Sequence, residues 1–435
     1  MEARPLIIIG AGLAGCEAAW QAAKRGVSVE LHEMKPKKFT PAHKLSTFAE
    51  LVCSNSLRSD SVENAVGLLK EELRRLGSLI MLCADETRVP AGGALAVDRQ
   101  GFSELVSLKL RSDPLITVVE DEAVSVPDAP CIVATGPLTD GSLLRDIERI
   151  TGAALHFHDA AAPIVTRESL DMSKVFESSR YDRGSDYLNC PMNAEEYFRF
   201  VRELVAAQTV PLHEFETPKV FEGCMPVEVM AKRGERTLAF GPMKPVGLVD
   251  PRTGKQPFAV VQLRRDDSRG MLYNMVGFQT NLTFPEQRRV FGLIPGLENA
   301  EFIRYGVMHR NSYMDSPGKL TRCFELKERP GTFFAGQLTG VEGYVESAAS
   351  GFTAGVSAAA RIKGREPVPF GKETAIGSLG HYVSCYNGSD FQPMNVTFGI
   401  MEPLRTPPRG KRQRGAAMAE RALCSIAAML EKEKY

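Results

Sequence analysis

The amino-acid sequence predicts an α/β fold, a parallel sheet covered by helices and interrupted by an inserted α+β segment. Three observations predict it. A short apolar run, Leu6-Ile7-Ile8-Ile9, leads straight into glycines and then into an alanine-rich stretch. Two further apolar runs end in small residues, Cys131 to Gly136 in the middle of the chain and Thr332 to Gly336 late in it. Between about residues 155 and 300 the character changes to mixed charged and aromatic residues with turns such as Pro251-Arg252-Thr253-Gly254. A chain of 435 residues is also too long for one hydrophobic core, so two or three units are expected.

Leu6 to Ile9 is continuously apolar, as a strand buried on both faces must be. Gly10-Ala11-Gly12-Leu13-Ala14-Gly15 follows, a GxGxxG, and then a helix over Glu17 to Lys24 that Gly26 ends. Val27, Val29 and Leu31 alternate as a second strand, with Glu33 at its end, 18 residues beyond Gly15. Gly10 permits the tight turn, Gly12 lets the backbone approach a pyrophosphate, and Gly15 lets helix and strand pack closely. The helix N-terminus offers free N–H groups to phosphates, and Glu33 can accept from a ribose diol. These are the parts of a dinucleotide site.

Cys131 to Gly136 reads as a strand returning to that site through Gly136. Thr332 to Gly336 reads as another, running through Gly340, Gly343 and Tyr344 into a small-residue helix over Glu346 to Arg361. Such a helix would aim its N-terminus at a flavin and stabilise negative charge there. The order of early GxGxxG, middle ATG strand and late glycine-rich helix suits FAD better than NAD. The expected fold is therefore a Rossmann-type FAD-binding domain of the two-dinucleotide-domain flavoprotein type. Residues 1–154 and 301–435 form its two parts, and 155–300 the inserted domain.

Other segments are read more coarsely. Phe102 to Leu110 is helix-like, and the pair Gly92-Gly93 forms either a loop at the cofactor or a plain turn. In the insert, Glu195 to Ala207 has helical spacing of Tyr197, Phe198, Phe200, Val201, Leu204 and Val205. Val260 to Arg265 and Met271 to Thr280 read as two strands joined by a turn.

Composition limits the function classes. The formal net charge is +0, so any polyanion contact must come from local patches. The nine cysteines are odd in number and no pair has CxxC spacing. That argues against a disulfide framework and a zinc knuckle, and for a reducing, cytoplasmic setting. No metal site and no membrane association is expected, since no run reaches about 18 apolar residues.

Several strings are long and unusual: Pro41-Ala42-His43, Leu51 to Leu57, Val89 to Asp98, Asp186 to Met192, Phe240 to Leu248 and Arg304 to Asn311. Together they resemble the bacterial folate- and FAD-dependent tRNA (uracil-5-)-methyltransferases, from residue 5 to about 400. The larger flavoproteins that modify the tRNA wobble uridine share the GxGxxG and ATG elements. They are not expected to carry the Phe240 to Leu248 string. The resemblance implies transfer of a one-carbon unit from 5,10-methylenetetrahydrofolate to C5 of a T-loop uridine in tRNA. FAD and NAD(P)H supply the reduction, and no stable protein partner is implied.

That chemistry needs a thiolate, because adding one to C6 gives C5 of the poorly nucleophilic uracil carbanion character. Cys53 and Cys224 sit in polar, turn-like contexts, whereas Cys16 and Cys131 look like buried, inert thiols. By resemblance, Cys224 in Gly-Cys-Met-Pro-Val-Glu matches the thiol that attacks C6. Cys53 matches a second thiol that assists deprotonation or binds the base; the two roles are interchangeable on sequence alone. His309 is the candidate contact for folate or flavin. Basic residues cluster at Lys35 to Lys38 and at Arg405, Arg409, Lys411, Arg412 and Arg414. The second cluster, flanked by Pro403, Pro407, Pro408 and Gly410, reads as the start of a mobile tRNA-binding arm. A flavin oxidoreductase of a small molecule and a non-catalytic tRNA-binding flavoprotein are the alternatives.

Overall fold

The computed structural model describes residues 4–128, 130–152, 154–182, 184–210, 225–388 and 391–431. The first stretch runs Leu6–Ile9 (β1), Leu13–Lys24 (α1), Val29–His32 (β2), Ser56–Ser59 (β3), Ala65–Leu76 (α2), Leu79–Glu86 (α3), Arg88–Val89 (β4), Ala94–Val97 (β5), Arg99–Arg111 (α4), Ile116–Val119 (β6), Cys131–Val133 (β7) and Gly141–Thr151 (α5). The second runs Ala154–Ala160 (β8), Ile164–Thr166 (β9), Phe176–Glu177 (β10), Tyr187–Met192 (β11), Ala194–Ala206 (α6), Val227–Lys232 (α7), Thr237–Phe240 (α8), Ala259–Arg265 (β12), Leu272–Met275 (β13), Phe284–Phe291 (α9) and Phe302–Arg304 (β14). The last holds Met308–Met314 (β15), Thr332–Phe334 (β16), Tyr344–Ile362 (α10), Ala375–Cys385 (α11) and Lys411–Glu431 (α12).

Five strands form one parallel sheet in the order β16-β7-β1-β2-β6. The chain moves to one side of β1 for β2 and to the other for β7. The crevice for a ligand therefore opens at the C-terminal end of β1, as in other doubly wound sheets. The apolar run Leu6–Ile9 is the central strand of this sheet, with Leu6, Ile8 and Ile9 buried. A six-stranded antiparallel sheet, β10-β11-β12-β13-β9-β14, carries the insert. The pair β8 and β15 runs antiparallel where the chain enters and leaves it.

Two large apolar cores accompany the two sheets. One joins residues from Leu6 to Ile147 with residues from Tyr313 to Ile426. The other spans Val165 to Leu297. In the first, α1 and α10 cross in close contact. A Cβ on Gly351 would overlap the Ala14 carbonyl oxygen, and one on Gly355 would come within 2.6 Å of the Ala18 carbonyl oxygen. Small residues four apart on both helices allow this, so both helix N-termini reach the same crevice.

The structure shifts some expected boundaries. Helix α1 begins at Leu13, and α10 at Tyr344, in each case directly after a glycine N-cap. Strand β13 stops at Met275 and does not run to Thr280, because Gly277 turns with φ +76° against Pro242. Gly92-Gly93 is the hairpin turn between β4 and β5, and its Gly92 N–H donates to Asp186 at 2.6 Å. In α6, Tyr197, Phe200, Val201 and Leu204 are buried, while Val205 faces solvent. The expected mobile arm is instead a helix from Lys411 onward. Met418, Ala422 and Ile426, spaced four apart, bury its apolar stripe on the first core. Among the described residues no helix is long and apolar enough to cross a membrane.

Candidate active site at the meeting of two cavities

The first cavity opens over the C-terminal ends of β1, β2 and β7. Gly10, Ala11, Gly12, Leu13, Ala14, Glu33, Gly136, Gly336 and Tyr344 all line it. Gly10 takes φ +96°, and a Cβ there would lie 2.6 Å from the Ala134 carbonyl oxygen. Gly15 stands behind the loop, where a Cβ would overlap the Gly10 carbonyl oxygen. Gly12 differs: nothing lies within 4 Å of its Cβ position. The N-cap of α1 has no side-chain partner and its first turn carries no acid, so its N–H groups face the cavity.

Glu33 braces this loop. Its carboxylate accepts the Ala11 N–H at 2.8 Å and the Lys35 N–H at 3.0 Å. A carboxylate has about four lone-pair sites, so it can still accept from a ribose diol. Lys35 and Lys38 also line the cavity; Lys35 donates to the Thr47 carbonyl and Lys38 to Glu122. The open space at Gly12, the uncapped helix ends and Glu33 fit a dinucleotide such as FAD.

The late glycine-rich segment turns on Gly336 (φ +80°), Gly340 (φ +88°) and Gly343 (φ +110°). Gly340 lines neither cavity, because the Phe391 ring occupies the space its side chain would need. Gly343 N-caps α10 and lines the second cavity. That cavity shares Val52, Pro137, Leu138, Gln337 and Tyr344 with the first. Tyr344 thus stands at the border between them.

Cys53 lines the second cavity and is half-buried. The Tyr344 hydroxyl accepts the Cys53 N–H at 2.8 Å and lies 2.8 Å from its Sγ. Burial, and then the nearby Cys53, push the Tyr344 phenol well above its ordinary range. Tyr344 therefore keeps its proton, and its hydroxyl shares a hydrogen bond with the Cys53 sulfur. Three buried arginines, Arg99, Arg264 and Arg304, lie close enough to feel the charge of Cys53. Burial holds Arg264 and Arg304 below the usual arginine range, and no carboxylate pairs with either among the described residues. In Arg99, Asp266 outweighs the same burial and raises it.

These arginines position the loop as well. Arg264 donates to the Ser54 Oγ at 2.7 Å and the Asn55 Oδ1 at 3.1 Å, and Arg99 donates to the Leu51 carbonyl. The Cys53 loop of the sheet domain is thus clamped from strand β12 of the insert. Sequence reasoning missed Arg264. Its signal was the alternation Val261-Gln262-Leu263-Arg264, which puts two polar side chains on one face of a strand otherwise buried.

Cys16 and Cys131 are buried, and burial raises both thiols. Cys224 lies outside the described residues. His309 falls on β15, in register with Asp159, two residues before Asn311 of the second cavity; its side chain lies outside what the structure describes. Arg405, Arg409, Lys411, Arg412 and Arg414 are exposed and line neither cavity, and Arg412 pairs with Glu63 at 2.8 Å.

Comparison with known proteins places this geometry. Residues 5–366 match the family model described as Glucose inhibited division protein A. The methylenetetrahydrofolate--tRNA-(uracil-5-)-methyltransferase of Acetivibrio thermocellus is 61% identical over 419 residues, 96% of each chain. That of Heliobacterium modesticaldum is 60% identical over 422 residues, also 96% of each. Among solved structures, a GidA from Aquifex aeolicus superposes with a TM-score of 0.67 at 17% identity. It covers 88% of this chain and 71% of that one, a likeness of fold.

Proposed function

We infer the roles of individual residues from one premise: this chain belongs to the methylenetetrahydrofolate--tRNA-(uracil-5-)-methyltransferase family. It transfers a one-carbon unit from 5,10-methylenetetrahydrofolate to C5 of a uridine in tRNA, giving 5-methyluridine and tetrahydrofolate. It is FAD-dependent. Residues 1–154 and 301–435 form the FAD unit, and 155–300 the substrate unit. The separate cores of the two sheets support this division. The protein acts in the cytoplasm, in keeping with the free thiols of all eight described cysteines.

The observation that carries the reading is Tyr344, which faces the dinucleotide cavity on one side and holds Cys53 on the other. The backbone of Gly10 to Leu13 and the N-terminus of α1 would hold the pyrophosphate, and Glu33 a ribose. The N-terminus of α10 offers its free N–H groups to negative charge at the ring end. Bound there and reduced by NAD(P)H, FAD would supply the hydride that converts the transferred methylene to methyl.

Cys224 adds to C6 of uracil, which makes C5 a nucleophile toward the methylene carbon, and it leaves C6 again as the thiolate when the C5–C6 double bond of the methylated product is restored. Cys53 then takes the proton that must leave C5. The Tyr344 hydroxyl and the arginine cluster support this by placing a hydrogen bond and positive charge beside the Cys53 sulfur. Burial of the arginines keeps their field unscreened. Around the T loop, Arg405, Arg409, Lys411 and Arg414 bind phosphates, and His309 contacts the folate.

The test is one assay. The flavin-loaded protein is incubated with unmodified tRNA, NADPH and methylenetetrahydrofolate labelled in its one-carbon unit. Label is expected in 5-methyluridine. Cys224→Ala and Cys53→Ala should each lower the rate by roughly 10²- to 10⁴-fold, the usual cost of a lost nucleophile or proton-transfer group. Full activity in either variant would remove that thiol from the mechanism.

A further inference from the structure

Resting on that reading, we propose that Asn274, beside Arg264, reads the O4 and N3–H edge of the target uracil and sets the preference for uracil over cytosine. The β12–β13 register places Asn274 directly opposite Arg264. Opposite residues on one face have Cβ atoms about 4.5–5.5 Å apart, so the two side chains share a patch. Both line the second cavity with Cys53. Arg264 also holds the side chains of Ser54 and Asn55, the two residues that follow Cys53.

Asn274 is only 3% exposed. Its Nδ2 is buried, and no described residue accepts from it. A buried amide N–H left without an acceptor destabilises the fold by about 1–3 kcal/mol. An apolar residue would fit a strand interior without that cost. The donor is explained if a ligand brings the acceptor.

The carboxamide carries one donor group beside one acceptor. Uracil presents the matching edge, a C4 carbonyl oxygen next to N3–H. Cytosine presents the reverse, an amino group next to a bare ring nitrogen. Arg264 breaks the remaining ambiguity. Its guanidinium can only donate, so it attracts a carbonyl oxygen and disfavours a second amino group in the same place. The same charge favours O4 as negative charge develops there when a thiol adds to C6. A pterin ring carries a similar N–H and C=O edge. The Arg264 clamp ties Asn274 to the thiol loop, and thiol chemistry concerns the uracil.

The experiment uses full-length, flavin-loaded Asn274→Ala and Asn274→Asp. Transcripts carry the T-loop target as uridine or as cytidine. We expect Asn274→Ala to lower kcat/KM for tRNA roughly 10- to 100-fold. Its KM for methylenetetrahydrofolate and its rate of flavin reduction by NADPH stay as in the wild type. Asn274→Asp, nearly isosteric, narrows the uridine-to-cytidine preference, and it carries the test if the alanine variant does not fold. Unchanged tRNA constants with an unchanged uridine preference overturn the proposal. So does a raised folate KM with unaltered tRNA constants, which would assign the amide to the pterin. Wild-type protein that makes no 5-methyluridine would instead sink the methyltransferase reading itself.

Discussion

Gly12→Ala and Gly15→Ala should separate ligand binding from folding. At Gly12 the added methyl meets no protein atom within 4 Å, and the backbone there (φ −76°, ψ −174°) suits any residue. The only cost to the apoprotein is a poorer N-cap, about 0.5–1 kcal/mol, or a few degrees in Tm. The space the methyl takes is the space a pyrophosphate needs against the backbone. Overpacking of that kind costs about 1–3 kcal/mol, so the Kd for FAD should rise roughly 5- to 150-fold. At Gly15 the methyl overlaps the Gly10 carbonyl oxygen and lies 3.4 Å from the Ala134 Cβ, so helix and sheet must part even without ligand. Its apoprotein should lose a similar 1–3 kcal/mol or more. The assay is thermal melting of both deflavinated variants, with FAD titration by fluorescence quenching. An apoprotein melting temperature lowered as far in Gly12→Ala as in Gly15→Ala, or an unchanged FAD affinity in Gly12→Ala, would refute the reasoning.

Two other predictions follow from charge. Glu72 is buried, accepts the Ala375 and Ile376 N–H groups at 2.7 and 2.8 Å, and is pushed up to about 7 by burial. The folded protein therefore holds this proton between about pH 4.5 and 7 while the unfolded chain releases it. The stabilisation is complete below about pH 4.5 and falls as pH rises to about 7, by on the order of 3 kcal/mol. Glu72→Gln should gain in Tm relative to wild type as pH rises through that window; a constant difference would refute this. Replacing Arg405, Arg409, Lys411 and Arg414 with Gln should lower the slope of log K for tRNA against log salt by up to about 3, at roughly 0.7–0.9 per phosphate contact. An unchanged slope would remove this basic cluster from the RNA interface.

The sheet domain was legible because its signals are local. A four-residue apolar run, a glycine loop, a helix and an acid 18 residues on occupy less than a tenth of the chain. Each has one physical job. The small-residue helix α10 was legible for the same reason, since Gly351 and Gly355 can only mean close packing against another backbone. Contacts between distant segments were not legible. Glu17 and Glu72 are buried, and each caps another helix, α3 and α11 respectively, which no local pattern announces. The basic C-terminal cluster read as an arm because prolines precede it. The apolar stripe that anchors α12 begins beyond the charges and is spaced too thinly to stand out.

The site divides along the same line. Glycines could be assigned to a dinucleotide because conformational need is written at the residue. Gly340 shows the limit: its positive φ was inferable, but it caps a short helical turn in the left-handed conformation, and the space beside it is filled by Phe391, some fifty residues on. Cys53 could be singled out by its polar neighbours, but not what surrounds it. The cations that feel its charge come from α4, β12 and β14, and the phenol from α10. Four elements spread over nearly 250 residues converge on one sulfur. Only the packing of the insert against the sheet domain brings them together. A substitution in β12 that leaves the insert folded but moves Arg264 should therefore alter the chemistry of a cysteine more than two hundred residues away.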